Sequence, residues 1–434
     1  MTDLIKPADI NAAGHLQIGG VDALDLARKY GTPLVVYDVD KIRATFRAFK
    51  RVFEEEKVPY AVSYASKAFC AIAIYQVINE EGGHVDVVSG GELATAKAAG
   101  FPMDRVSFHG NNKSPEELAM AVDSGVGVII LDNFHEIDLL SAILKEKGKR
   151  AKVMLRVTPG ISAHTNEYIQ TGQVDSKFGF DLGSGQADRA LEQVLADERM
   201  DLLGAHAHIG SQIFDVRGFV GCADKLASLG KHWQDKYGYT IKVLNVGGGF
   251  GIRYTEADQP LPPEEFVRAI IKEVKADCQQ AGLPLPEIWI EPGRSLVGQA
   301  GYNLYTIGSR KDLPGYESYV AVDGGMGDNI RPALYQAKYE AVLAKDPAAK
   351  AAERVNLVGK YCESGDILIK DCPLPKTEPG DVVAMLATGA YGYSMASNYN
   401  RNPRPAVVFA EGGQDRLVVK RESYEDLIHL DLKY

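Results

Sequence analysis

A chain of 434 residues, 45% hydrophobic and 24% charged, has the composition of a globular protein with enough material for two domains. Its formal charge of −10 argues against nucleic acid and anionic membrane as partners. The odd set Cys70, Cys222, Cys278, Cys362 and Cys372 fits reduced thiols, the N-terminus MTDLIKPADI lacks a signal-peptide core, and no apolar run approaches membrane-spanning length, so a soluble cytoplasmic protein is expected.

The first β-like run, TPLVVYD (32–38), is followed by eight more: YAVSYAS (60–66), HVDVVSG (84–90), RVSFHG (105–110), GVIILD (127–132), AKVMLRV (151–157), LLGAHAHIG (202–210), IKVLNVGGG (241–249) and EIWIEPG (287–293). Segments such as GELATAKAAG, SPEELAMAVDSG and FHEIDLLSAILKEKGK lie between them, with helical spacing and Gly or Ser-Pro punctuation. Eight βα units in succession predict an α/β fold, a TIM-type (β/α)8 barrel whose chemistry gathers at the carboxyl ends of its strands. Those ends carry Lys67, Asp86, His109, Asp132, Arg156, His208, Gly247-Gly248-Gly249, Glu291, Gly293 and Arg294, a polar set that core packing would not choose. The connection PGISAHTNEYIQTGQVDSKFGF after the fifth strand is long enough to be an active-site flap, with a mobile surface insertion as the alternative.

Beyond about residue 298 the runs ESYVAVDGG, RVNLVG, DILIKD, DVVAMLA and PAVVFAEGGQDRLVVKR predict short antiparallel strands, the last folding as a hairpin. Residues 38–298 are thus expected to form the barrel, and 1–37 with 299–434 a second, antiparallel β-domain.

Within the barrel, Lys67 in SYASKAF is either a solvated loop lysine or a nucleophilic amine held at the barrel mouth. VGGGFG lets backbone N–H groups approach an anion, or simply makes a tight turn. His206 and His208 in HAHIGSQ could be a metal pair, a ring stacked on an aromatic ligand, or core histidines; the other histidines show no ligand spacing, so no metal site is expected. Glu291 and Arg294 in EPGRSL form either a capped turn or a carboxylate that keeps a pyridine nitrogen protonated.

In the second domain, Cys362 of GKYCESGD keeps polar company for a core thiol and could act as a general acid. Arg331 and Tyr335 of NIRPALYQ offer a fork for a carboxylate. GAYGYSMASNYN reads as a ligand-facing loop starting at Tyr391.

In order, YASKA, DVVSGGELATAKAAGFP, FHGNNKS, DSKFGF, HIGSQ, GGGFG, EPGR, CESGD and GAYGYSMASNYN resemble the fold-type III pyridoxal-phosphate-dependent decarboxylases, in their diaminopimelate-acting branch, over nearly the whole chain. The resemblance implies an alanine-racemase-like pairing of barrel and β-domain, pyridoxal 5'-phosphate as cofactor, and decarboxylation of meso-2,6-diaminopimelate to L-lysine and CO2. A sister activity on ornithine, arginine or lysine is the alternative. Lys67 matches the lysine that carries the cofactor, His208 the imidazole stacked on its ring and Glu291 the partner of the ring nitrogen. Ser211, Gly247, Gly248, Gly249, Gly293 and Arg294 match the phosphate site, with Asp86, Glu92 and Arg156 as supporting polar residues. Arg294, Arg331 and Tyr335 match contacts to substrate carboxylates, Glu363 a contact to the distal end, and Tyr391 a contact to cofactor and substrate. Cys362 matches the proton donor, and the resemblance implies a homodimer in which Cys362 and Glu363 come from the neighbouring subunit. Two departures stand out: Phe69 where the family has Asn, and Lys360 where it has Pro.

Overall fold

The computed structural model describes residue 2, residues 4–161 and residues 176–434. The chain divides into two compact units. One comprises Thr45–Gly251 and Pro260–Ser295, the other Met1–Ala44, Ile252–Gln259 and Leu296–Tyr434.

In the first unit eight strands, Tyr60–Ala65, His84–Val87, Val106–Phe108, Val128–Leu131, Ala151–Thr158, Met200–His206, Val243–Asn245 and Glu287–Ile290, pair in parallel in chain order. The eighth pairs back onto the first through Ile288 and Tyr60, which closes the barrel. Helices follow the strands, and their limits are written locally. Ser89, Ser114, Asn133 and Asp215 cap helix starts with a side-chain oxygen, and Gly125, Gly148, Gly238 and Gly282 end helices in the left-handed conformation. Ala61, Val128, Ile130, Met154, Val243 and Trp289 form an apolar cluster within this unit. The polar residues collect instead where the strands leave it.

The second unit holds a sheet in the order Ile367–Leu374, Glu353–Val358, Ser318–Val322, Gly301–Lys311, Leu34–Asp38, Ala406–Glu411 and Gln414–Val419. Leu34–Asp38 joins it, as the run TPLVVYD suggested. The last two strands form a hairpin whose two-residue turn, Gly412-Gly413, has positive φ at both positions, as such turns require. The expectation of a purely antiparallel sheet needs correction: Ser318–Val322 runs parallel to Glu353–Val358, and Ala406–Glu411 parallel to Leu34–Asp38. Hairpin logic governs strands adjacent in sequence, and Leu34–Asp38 lies some 370 residues from its partner. The eleven-residue strand Gly301–Lys311 escaped the sequence reading because Gly301 and Gly308 interrupt its β-pattern. Gly301 is needed there, since a Cβ would lie 2.1 Å from the Cα of Gly389. Residues 252–259, taken above as barrel, group with this unit because Ile252 and Tyr254 pack in its core with Tyr305, Val320 and Leu357.

Candidate active site

Lys67 sits in a single helical turn, Ser66–Ala68, directly after the first barrel strand, and it is exposed while both its neighbours are buried. The turn is anchored from below: Tyr75 donates its hydroxyl to Ser66 Oγ at 2.9 Å, and Ala65 N–H donates to Pro292 O at 3.2 Å. The first and last strand exits are pressed together, because a Cβ on Gly293 would fall 2.8 Å from that of Ala65. Lys113, after the third barrel strand, contrasts with it. Its buried ammonium donates to Gly110 O, Ile130 O and Glu136 Oε1 and is consumed structurally. Phe69, the departure from the family pattern, is fully buried, and its carbonyl accepts the Tyr64 hydroxyl.

Two carboxyls feel the Lys67 ammonium. Asp86 is buried, and its Oδ1 has no hydrogen-bond partner among the described residues. Burial, and next the Glu291 carboxylate, push its pKa well above the ordinary value against the pull of Lys67. Glu92 accepts the Val88 N–H at 2.7 Å, and burial raises it as well.

Glu291 is the centre of a buried polar hub. Its Oε1 accepts from Asn245 Nδ2 at 2.7 Å and its Oε2 pairs with His206 Nε2 at 3.0 Å; His109 Nε2 stands 3.1 Å from Oε1. Burial alone would raise the Glu291 carboxyl, but His109 and His206 outweigh it and hold it well below the usual range. It therefore stays an anion beneath the barrel mouth. Burial in turn lowers His109 and brings His206 down to about 4, so both rings are neutral near pH 7. The sequence reading placed His206 beside His208 on one face. Instead the strand ends at His206, which turns to Glu291, while His208 Nδ1 accepts the Gly248 N–H at 3.2 Å. Burial, then the charges of Lys67 and Arg156, keep His208 neutral.

His109, His206 and Glu291 are, among the described residues, the one trio of donor side chains close enough to hold a cation. Spacing along the chain hid it, because the three come from the third, sixth and eighth strand ends. Asn245 and His206 already occupy both carboxylate oxygens, which marks the trio as a charge hub.

The hub makes an acid-stability prediction. An unfolded histidine binds its proton near pH 6.5, roughly, the buried His206 only near 4. Between those values the unfolded chain holds the extra proton, so acid favours unfolding. The stability advantage of the wild type over His206→Gln should narrow by up to roughly 3 kcal/mol as pH falls from about 7 to about 4. Denaturant titrations at a series of pH values measure it, and a constant gap would contradict it.

Gly247, Gly248 and Gly249 follow the seventh strand. A Cβ on Gly248 would lie 2.0 Å from Glu291 O, and one on Gly249 2.2 Å from Gly210 O, so the run brings the sixth, seventh and eighth exits into backbone contact. Gly247 N–H is held by Asn245 Oδ1 at 2.9 Å. Asn245, which the sequence reading missed, thus ties the glycine run to Glu291 through its two amide atoms. Beside it the Arg294 guanidinium donates to Ser211 Oγ at 3.0 Å from Nη2. Arg156 is buried, stacks on the Phe178 ring at 4.2 Å and stands 3.9 Å from Asp132, whose other oxygen accepts the Gly179 N–H. Lys177-Phe178-Gly179 is therefore docked on the fifth strand exit; the middle of the expected flap, 162–175, lies outside the described residues.

In the β-rich unit Arg331 opens a five-residue helix, Arg331–Tyr335, with Pro332 in its first turn. Its guanidinium is buried and bonded to the Tyr339 hydroxyl, with the Tyr254 ring 5.1 Å from its central carbon. Tyr339 and Tyr254, rather than Tyr335, are its nearest aromatic partners. Tyr391 adopts φ 60°, a conformation costly for a bulky side chain and held here within Gly389–Gly392. Cys362 and Glu363 are exposed, on the turn after Glu353–Val358.

The barrel residues fit pyridoxal phosphate by their donor chemistry. They offer an exposed amine, an anionic carboxylate at the foot of the hub for a protonated ring nitrogen, a neutral imidazole, an Asp86 oxygen without a hydrogen-bond partner among the described residues, and a glycine run flanked by Ser211 and Arg294 for an anion.

Comparison with known proteins agrees. Residues 39–298 match the family model described as pyridoxal-dependent decarboxylase, pyridoxal binding domain. Diaminopimelate decarboxylase of Bacillus subtilis (strain 168) is 59% identical over 424 residues, 98% of this chain and 97% of the relative. The crystal structure of diaminopimelate decarboxylase from M. jannaschii superimposes with a TM-score of 0.91 at 35% identity, covering 98% of this chain and 97% of that one. The same enzyme in co-complex with L-lysine gives 0.90 at 35%, covering 97% and 96%. With a family model spanning more than half its length and such identity from end to end, the chain belongs to the diaminopimelate decarboxylases, within the pyridoxal-dependent decarboxylase family.

Proposed function

We propose that this enzyme uses pyridoxal 5'-phosphate to decarboxylate meso-2,6-diaminopimelate to L-lysine and CO2, the closing reaction of lysine biosynthesis. The observation that carries the chemistry is the pairing, at one barrel mouth, of the exposed Lys67 amine with a buried Glu291 carboxylate that is hydrogen-bonded by Asn245 and His206 and held well below the usual carboxylate range. When bound, the cofactor supplies an electron sink for the pair left behind by the departing carboxylate.

The chain's own residues do the rest. Lys67 Nζ would be the point of attachment for the cofactor. Glu291 would hold the protonated ring nitrogen of the cofactor, and the neutral His208 imidazole would support its ring. Ser211, Gly247, Gly248, Gly249, Gly293 and Arg294 hold the phosphate, while Asp86, Glu92 and Arg156 support the groups around it. Arg294, Arg331, Tyr335 and Tyr391 orient the substrate, with the Arg331 fork matched to a carboxylate. Glu363 takes the distal ammonium, and the Cys362 Sγ–H gives its proton to the carbon that has lost CO2.

The enzyme works as a cytoplasmic homodimer, each subunit lending Cys362 and Glu363 to its neighbour. The exposure of both residues in the single chain supports the shared site.

Purified protein with pyridoxal phosphate, supplied separately with meso-diaminopimelate, lysine, ornithine and arginine, tests the reading. Lysine and CO2 are expected from diaminopimelate alone. Turnover of a diamino acid with one carboxylate would keep the cofactor chemistry and overturn the substrate assignment.

A further inference from the structure

The turn Gly359–Asp366, which carries Cys362 and Glu363, is wound around one buried carboxylate. Asp366 is 4% exposed. Its Oδ2 accepts the Tyr361 N–H at 2.9 Å and its Oδ1 the Met326 N–H at 2.7 Å. The backbone closes the same ring: Asp366 O accepts the Gly359 N–H at 3.0 Å, and Asp366 N–H donates to Glu363 O at 3.1 Å. Space around the carboxylate is filled. A Cβ on Gly359 would lie 2.2 Å from Asp366 Oδ2, and one on Gly325 2.6 Å from both oxygens. Among the described residues no lysine or arginine pairs with Asp366, so its hydrogen bonds go to backbone that bears on the turn. A carboxylate buried without a cation is costly.

A second clamp acts from outside. Cys362 N–H donates to Asn400 Oδ1 at 2.8 Å, and Asn400 holds a left-handed φ of 51°. The neighbouring Tyr399 ring lies parallel to that of Tyr361, with centroids 6.1 Å apart. Two acceptors, Asp366 and Asn400, therefore fix consecutive N–H groups, those of Tyr361 and Cys362.

We propose that Asp366, seconded by Asn400, is a positioning residue that sets where the Cys362 thiol and the Glu363 carboxylate stand; this rests on the proton-donor and substrate roles given to them above. An amide in place of the carboxylate would turn one oxygen into a donor facing a backbone N–H, breaking one clamp while keeping size and shape. A longer acid has no room between Gly325 and Gly359.

The test compares wild type, Asp366→Asn and Asn400→Ala as holoenzymes. Turnover of meso-diaminopimelate and the alkylation rate of Cys362 by iodoacetamide are measured for each, with bound-cofactor absorbance as a check on folding. Cys362 is the one exposed thiol of the five, so peptide mass spectrometry isolates its rate. Both variants should retain cofactor, lose about 10- to 100-fold in kcat with a smaller change in KM, and alkylate Cys362 at an altered rate. Wild-type kcat and alkylation in both variants would overturn the proposal. Should Asp366→Asn fail to fold, Asn400→Ala, which removes a single acceptor at an exposed position, decides by the same readouts. If the wild type released no CO2 from diaminopimelate, the functional reading would fall, while unchanged or changed alkylation would still decide whether these two side chains set the thiol.

Discussion

Replacing Lys67 by Ala should abolish decarboxylation, with a loss of at least about 1,000-fold, and should erase the visible absorbance of bound cofactor. The expectation follows from an asymmetry between two lysines at the barrel mouth. Lys113 is buried and spends its donors on Gly110 O, Ile130 O and Glu136, so it is not available to react. Lys67 is exposed on a turn held rigidly by Ser66, Tyr75 and the Pro292 carbonyl. Its flexible stem starts from a fixed point and its amine stands in the open. Lys67 is exposed, so the alanine variant should still fold, with its unfolding midpoint shifted only by the loss of the charge felt by Asp86 and Glu92. Borohydride treatment followed by mass spectrometry gives a readout independent of activity. The wild type should gain the reduced cofactor on the peptide containing Lys67, and the variant should gain it nowhere. Cofactor mass trapped on another lysine, with turnover retained, would remove Lys67 from the centre of the site.

How much of this was legible in the chain depends on the range of the interactions. The eight barrel strands and their order could be read because each βα unit is local, with caps such as Ser114 and stops such as Gly125 written beside the helix they bound. Lys67, Asp86, His208 and Glu291 were visible as polar residues at strand exits for the same reason. The hub was not. His109, His206, Asn245 and Glu291 meet only once the barrel closes, and no spacing within one segment encodes a contact between the third, sixth, seventh and eighth strands. His206 was therefore paired with its neighbour His208, although the strand ends at His206 and its ring turns to Glu291. In the β-rich unit the miss was of another kind. Gly301 looked like a breaker in the sequence, and it is the residue that lets the longest strand approach Gly389. The aromatic partners of Arg331 were likewise out of reach, since Tyr254 lies far away in the chain.

Glu291→Gln should leave the cofactor attached to Lys67 and lower kcat by about 100- to 1,000-fold, with KM much less affected. The carboxylate's value lies in its charge. Burial would favour the acid form, yet His109 and His206 hold the carboxyl well below the usual range, and an anion at that position would hold a protonated ring nitrogen. An amide has the same shape and none of the charge. The substitution also disturbs the hub. Either the amide nitrogen faces a donor on Asn245 or His206, or His206 must move its proton to Nδ1, an atom that is buried without a hydrogen-bond partner among the described residues. One lost or misdirected hydrogen bond in such a place costs about 1–3 kcal/mol of stability. The two effects separate experimentally, because the electronic one slows turnover in enzyme that is folded and loaded, whereas the packing one lowers the unfolding midpoint of cofactor-free protein. A variant that unfolds more easily but turns over within a few-fold of wild type would make Glu291 a structural anchor for the glycine run. A variant that is folded, loaded and slow would assign the carboxylate to the ring nitrogen, and with it explain why two buried histidines are kept neutral beside it.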